Sequence, residues 1–354
     1  MNVPKKIIDA HHHFIDTSAG NNDLINKMAG ELIYHPCDYE RDVMVALKRE
    51  LDVDLIGSVH VEAIPNNGAE EVRWAEQLLT DQSLMNNNLS FVKGYVGSVD
   101  LASDTAEKDM IELVHVTPKV KGVRWILDCV GPYGDGNTAT HVATIRHDGI
   151  DYLRHGENGS TMKEFERGYQ LLQNYNLSFD LQCAPAQLLK AAELAAKYPN
   201  IPLVIDHLGK PRKIVDYDNF NSTLDTIEEI KVWREGMKAM AKIPHVYVKL
   251  SMLGYIAPGW IVDTEKEKLL KSLVLEVVNL FGPSRCMMAF NWFKNGALSD
   301  SDGFSDVGPD AVTYCRKLTS WLSDDDDDDD NNYNETDLEW IFFKTAQSFY
   351  RLSN

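Results

Sequence analysis

Lys6-Ile7-Ile8-Asp9-Ala10-His11-His12-His13-Phe14 is an apolar run that ends in three consecutive histidines. Its composition and brevity predict a short buried strand that delivers imidazoles at its carboxyl end. Strand side chains alternate, so Ile7, Asp9, His11 and His13 are expected on one face and Ile8, Ala10, His12 and Phe14 on the other. Two imidazoles two residues apart can then meet one ligand. A bare triple histidine is also what a solvated loop or an expression tag leaves behind, but a tag would be longer and polar on both sides, whereas this run directly follows an apolar strand.

Seven further segments read as strands, and most end on a polar side chain. They are 53–63, which carries Glu62; 91–99; 120–127, with Arg124; 177–183, with Cys183; 201–207, a continuous apolar run finishing on His207; 245–251, with Lys249; and 285–292, with Asn291 and Trp292. Helical spacing of apolar residues is expected over 38–50, 69–80, 105–117, 163–175, 186–197, 221–241, 264–281 and 311–322. A last helix at 337–350 returns Leu338, Ile341, Phe342 and Phe349 to the body.

Eight strands alternating with helices, each connection long enough for a right-handed crossover, predict an α/β fold: a closed (β/α)8 TIM barrel, one domain spanning 1–354. An open doubly wound sheet is the alternative. Against it, no Gly-x-Gly-x-x-Gly follows the first strand, and polar residues gather at strand ends throughout rather than at one switch point. Residues 128–160, rich in Gly, His, Asp and Asn, read as a lid over the barrel mouth. The seven consecutive aspartates at 324–330 repel one another and read as the centre of an acidic surface insertion at about 323–334.

The chain has 354 residues, with 54 acidic against 35 basic side chains and a formal charge of −19. A surface of that sign cannot displace counterions from a phosphate backbone, so a nucleic-acid partner is not expected. Hydrophobic residues at 44% and charged residues at 25% are globular values, and no apolar run reaches the ~18 residues of a membrane span. With no signal-peptide core at the amino terminus, the expectation is a cytoplasmic protein that acts on a small molecule, without membrane contact; a homo-oligomer is compatible. The five cysteines have no C-x-x-C spacing and read as reduced, packed thiols.

In such a barrel the carboxyl ends of all strands open on one face, so His11, His13, Glu62, Arg124, Cys183, His207, Lys249 and Asn291 become neighbours. Imidazoles from the first and sixth strands with a polar side chain on the eighth are what a single-metal hydrolase needs. Each remaining residue has two readings. Arg124 is a fork for a substrate carboxylate or a structural ion pair. Glu62 is an acid/base group or a hydrogen-bonded core carboxylate. Lys249 binds an anion or supports its neighbours. Cys183 is a packed thiol, Asp206 sits behind the ligands, and Trp292 walls the pocket or caps the barrel.

These pieces resemble the amidohydrolase superfamily, specifically its amidohydrolase-related branch of sugar-lactone and dicarboxylate-lactone hydrolases. The matching stretches are Ile8-Asp9-Ala10-His11-His12-His13-Phe14, Gly122-Val123-Arg124, Leu177-Ser178-Phe179-Asp180-Leu181-Gln182, Ile205-Asp206-His207-Leu208-Gly209-Lys210-Pro211, Val248-Lys249-Leu250-Ser251 and Arg285-Cys286-Met287. The resemblance implies a hydrolase that opens a lactone of a small polar acid or sugar. His11, His13 and His207 would hold one divalent metal, zinc by preference, or polarise the lactone carbonyl directly, as in metal-free lactonases of the branch. Asn291 stands where most members carry the aspartate that activates water, and an amide cannot take that proton. Glu62 is then the substitute base. Two rival expectations stand beside this one: a barrel that only binds a small molecule, or a decarboxylase or isomerase.

Overall fold

The computed structural model describes residues 2–81, 91–129, 150–211, 228–257, 259–291, 310–323 and 333–353. Trp292, the acidic run at 324–330 and most of the expected lid lie outside them. Eight parallel strands follow one another around a single sheet: β1 Lys6–His12, β2 Asp54–Val61, β3 Val92–Ser98, β4 Val120–Arg124, β5 Ser178–Leu181, β6 Leu203–Ile205, β7 Val246–Leu250 and β8 Cys286–Met288. Spatial order equals chain order, with helices between, which is the TIM barrel the alternation predicts. Among the described residues no helix is long and apolar enough to cross a membrane.

The expected helices are present where they are described, from Gly68–Thr80 through Thr264–Phe281. One element has no counterpart among the expected segments: Ile15–Asp16 pairs antiparallel with Ile33–Tyr34 around the helix Asp23–Ala29. A second difference concerns the lid segment, whose later residues Tyr152 and Leu153 are packed into the core. The sixth and eighth strands are also shorter than expected. The chain leaves the ladder at their tips, where His207 and Leu208 (φ 55° and 56°) and Asn291 (φ 50°) adopt left-handed backbone. Such conformations are costly for non-glycine residues and collect at functional sites.

Ile8, Ala10, Val59, Val61, Val96, Val204, Met287 and Ala289 fill the barrel interior, and Phe349, Tyr350 and Leu352 from the carboxyl terminus close its floor. The helices pack outside through a second, larger core. Gly122 in β4 permits close approach to β5, since a Cβ there would lie 2.4 Å from Ser178 Oγ.

Strict alternation in β1 is broken by a bulge. Ile8 pairs with Gly57 and Asp9 with Ser58, but His12 is the next paired residue, opposite His60, so three steps on β1 match two on β2. Ile8 and Ala10 therefore face inward, Asp9 faces outward, and the extra residue brings His11 and His13 to the inner face together. The expected grouping of Asp9 with His11 is corrected accordingly. His12 points outward, 3.0 Å from Ser58 Oγ and packed on Tyr39 and Phe14.

Asp9 fastens this bulge and closes the barrel. Its carboxylate accepts from His11 N (3.0 Å), Phe290 N (2.9 Å) and Tyr39 Oη (2.7 Å), while Asn291 N donates to the His11 carbonyl (2.7 Å). Burial pushes the Asp9 carboxyl from 3.8 up to about 7, against those three donors and Lys249. The folded chain thus holds a proton that the unfolded chain has lost. This contribution is complete below pH 3.8 and disappears as pH rises through 7, worth at most about 4 kcal/mol. Asp9→Asn is neutral at every pH, so its stability relative to wild type is expected to rise between pH 4 and 8, as read by urea midpoints.

Candidate active site

The inner bulge and the tip of β6 gather three imidazoles. His11 and His13 present Nε2 atoms 3.2 Å apart, and the His11 and His207 rings lie 4.9 Å centre to centre. Each outer ring has an anchor. His13 Nδ1 donates to the Val61 carbonyl at 2.7 Å, so its Nε2 carries the lone pair, and His207 Nδ1 is 3.0 Å from Ser251 Oγ. Asn291, turned inward by its left-handed backbone, places Oδ1 3.0 Å from His13 Nε2, a contact that becomes a hydrogen bond only when that nitrogen carries a proton.

Below the imidazoles lies a buried ionic network. Arg124 donates from Nε to Glu62 Oε1 (2.8 Å), from Nη2 to the Glu62 carbonyl, and from Nη1 toward Gln182 Oε1 (3.3 Å) and Asp206 Oδ2 (3.4 Å). The same Nη1 is 3.3 Å from His11 Nε2. Lys249 Nζ lies 2.5 Å from Asp180 Oδ2, 3.0 Å from Asp206 Oδ1 and 3.2 Å from His11 Nδ1. Tyr350 Oη, from the floor, donates to Asp180 at 2.6 Å. Gln182 continues the network to Asp128, which pairs with Lys210.

The charges are arranged so that the imidazoles stay neutral. Burial and the nearby Lys249 ammonium hold His11 well below its usual value, and burial with Arg124 brings His13 down to about 4. His207 is lowered in the same way by burial, although Asp206 opposes it. Burial works against ionisation of Asp206, yet Lys249 and His11 beside it keep its carboxyl well below the ordinary range. Asp180 is instead raised, by burial and by the proximity of Asp206, with Lys249 opposing. The site therefore offers neutral lone-pair nitrogens above an ionised carboxylate.

The structure unites His11, His13, Glu62, Arg124, His207, Lys249 and Asn291, and it revises three of the roles expected for them. Glu62 is not an available base: Oε1 receives Arg124 and Oε2 accepts from Ile64 N at 2.8 Å. Arg124 is not an open fork for a substrate carboxylate, because its donors are turned onto protein acceptors at 3% exposure. Lys249, fully buried between Asp180 and Asp206, is likewise not a surface for anions. Cys183 is the packed thiol expected, its pKa pushed well up by burial.

Asp206 does not stand behind the ligands; it sits between both cations as the central carboxylate of the site. Asp180 and Gln182 were missed as members of it, although a charged residue inside the apolar run Leu177-Ser178-Phe179-Asp180-Leu181 was a visible signal.

By donor type the set suits a divalent cation, although Lys249 Nζ and Arg124 Nη1 stand against the same His11 and Asp206 atoms. Ligand atoms of His11, Asp206 and His207 lie within 4.8 Å of one another, the group of this kind found among the described residues. Imidazole nitrogens with one carboxylate oxygen are zinc chemistry. His13 stands beside this group rather than within it.

An eight-stranded parallel barrel whose strand tips converge histidines, carboxylates and buried cations has the layout of a TIM-barrel active site. The amidohydrolase family model matches residues 8–352, and the chain belongs to that family.

Uncharacterized protein y4mH of Sinorhizobium fredii is 24% identical over 251 residues, 70% of this chain and 71% of that one. L-fucono-1,5-lactonases of Burkholderia multivorans and Burkholderia ambifaria are each 26% identical, over 36% and 57% of this chain. Those matches span 42% and 56% of the two lactonases. Among solved structures, an amidohydrolase from Burkholderia multivorans superposes with TM-scores of 0.68 with bound HEPES and 0.67 with bound zinc. The identities are 21% and 20%, and each match covers 98% of this chain and 99% of the other. A Pseudomonas putida protein provisionally assigned as a 2-pyrone-4,6-dicarboxylic acid hydrolase superposes at 0.62 with 13% identity, covering 98% of each chain.

Proposed function

We propose that this chain hydrolyses a lactone, opening a cyclic ester of a small polar acid or sugar. The observation that carries the reading is the meeting of His11, His13 and His207 over Asp206 at the barrel mouth, in a chain of the amidohydrolase family. The L-fucono-1,5-lactonase relatives support the substrate class.

Ester hydrolysis needs a water made nucleophilic and a carbonyl made electrophilic. His13 takes the proton from water: its Nδ1 is fixed on Val61, and its Nε2 is a lone pair at neutral pH. Asn291 cannot accept that proton, but its Oδ1 at 3.0 Å accepts a hydrogen bond from the imidazolium that forms. The carboxamide thus supports a base in place of being one. Arg124 and Lys249, paired with Glu62, Asp180 and Asp206, hold His11 and Asp206 in place in this buried network rather than receiving the oxyanion. His11, Asp206 and His207 would hold a zinc ion when one is bound, which supplies Lewis-acid polarisation of the ester carbonyl.

Asn291 gives the second reading its specific support, since a barrel without the usual carboxylate could bind and not turn over. Initial rates over a panel of 1,4- and 1,5-lactones of sugar acids separate the two. Wild type is expected to open at least one of them, with Asn291→Asp within about tenfold of it. Saturable binding by wild type with turnover only in Asn291→Asp would establish the binding barrel instead.

A further inference from the structure

We infer that Lys249 and Arg124 guard the ion site, so that the wild-type chain binds zinc weakly and removal of Lys249 turns the same residues into a tight zinc site. This rests on the reading of His11, Asp206 and His207 as the ion-holding group.

The geometry is specific. Lys249 Nζ approaches His11 Nδ1 at 3.2 Å and Asp206 Oδ1 at 3.0 Å, while Arg124 Nη1 approaches His11 Nε2 at 3.3 Å and Asp206 Oδ2 at 3.4 Å. Both nitrogens of His11 and both oxygens of Asp206 already face a protein cation. The cations cannot swing into solvent. Lys249 is tied behind to Asp180 on β5 and Arg124 to Glu62 after β2, and both are buried. A dication entering here must displace them from their acceptors and sit beside two positive charges.

The converse also holds. Without the ammonium, Asp180 and Asp206 become adjacent buried carboxylates that lack their shared counter-charge, which attracts a cation strongly. The His11 and Asp206 atoms freed by that loss belong to the group whose ligand atoms already lie within 4.8 Å of one another.

The test titrates zinc, in competition with a chromophoric chelator, into wild type, Lys249→Met and the charge-balanced Lys249→Met/Asp180→Asn. Thermal unfolding is followed with and without the metal. Both variants are expected to bind one zinc per chain at least tenfold more tightly than wild type, and zinc should raise their Tm by more than it raises that of wild type. Folding of Lys249→Met only when zinc is supplied supports the inference in the same sense. Zinc affinity in the double variant no higher than in wild type, with no zinc-dependent stabilisation of either variant, overturns it. No substrate enters this measurement, so a chain that opens no lactone can still bear the inference out, and a lactonase can still refute it.

Discussion

His13→Gln is expected to lower kcat/KM for lactone opening by about 10²- to 10⁴-fold, the usual contribution of a positioned general base. The expectation follows from the hydrogen bonding of the ring. Donation from Nδ1 to the Val61 carbonyl leaves only Nε2 to act, and Nε2 is the atom facing Asn291 and His11. Glutamine preserves bulk and polarity without a basic nitrogen, so Tm should change by a few degrees at most. The pH profile gives an independent check. His13 is neutral above about 4, so wild-type activity should persist as pH falls from 8 through 6.5 and decline only near 4. Full activity in His13→Gln, or an acid limb centred on 6.5, would assign the proton transfer to another group.

Arg124→Met is expected to destabilise the fold by about 3–5 kcal/mol, read as a lower urea midpoint. The side chain fits the cavity, but its loss strands Glu62 beside β2 and removes one of two counter-charges to Asp206, both carboxylates being buried. Replacement of Glu62 by Gln in the Arg124→Met background should recover part of that loss, since it removes the stranded charge. A single Arg124→Met variant as stable as wild type would mean that these carboxylates find other counter-charges.

The barrel was legible in the sequence because most strands announce themselves twice, by an apolar run and by the polar residue at its end. The convergence of His11, His13 and His207 followed from that alone, since a closed parallel sheet brings all strand tips to one face. The bulge was not legible. Alternation assigns Asp9 and His11 to one face, and only the register against Gly57, Ser58 and His60 shows that an extra residue separates them.

Partner choice within the site was hidden for a related reason. Glu62 and Arg124 looked equally suited to chemistry and to ion pairing. What decides between those is the meeting of residues 62 positions apart, a property of strand order rather than of local composition. Asp206 was underestimated because the neighbouring His207 was the conspicuous residue. Its weight comes from Lys249 and Arg124, on β7 and β4, which each approach a different one of its two oxygens.

The most direct measurement is hydrolysis in water enriched in ¹⁸O, with a sugar-acid lactone as substrate and the product acid analysed by mass spectrometry. Attack of activated water on the ester carbonyl predicts enzyme-dependent ring opening with one ¹⁸O in the product carboxylate, lost in His13→Gln and His207→Ala. Folded wild-type protein that gives no ring opening above the uncatalysed rate with any lactone, or the same labelled product at equal rate from the two variants, would contradict it.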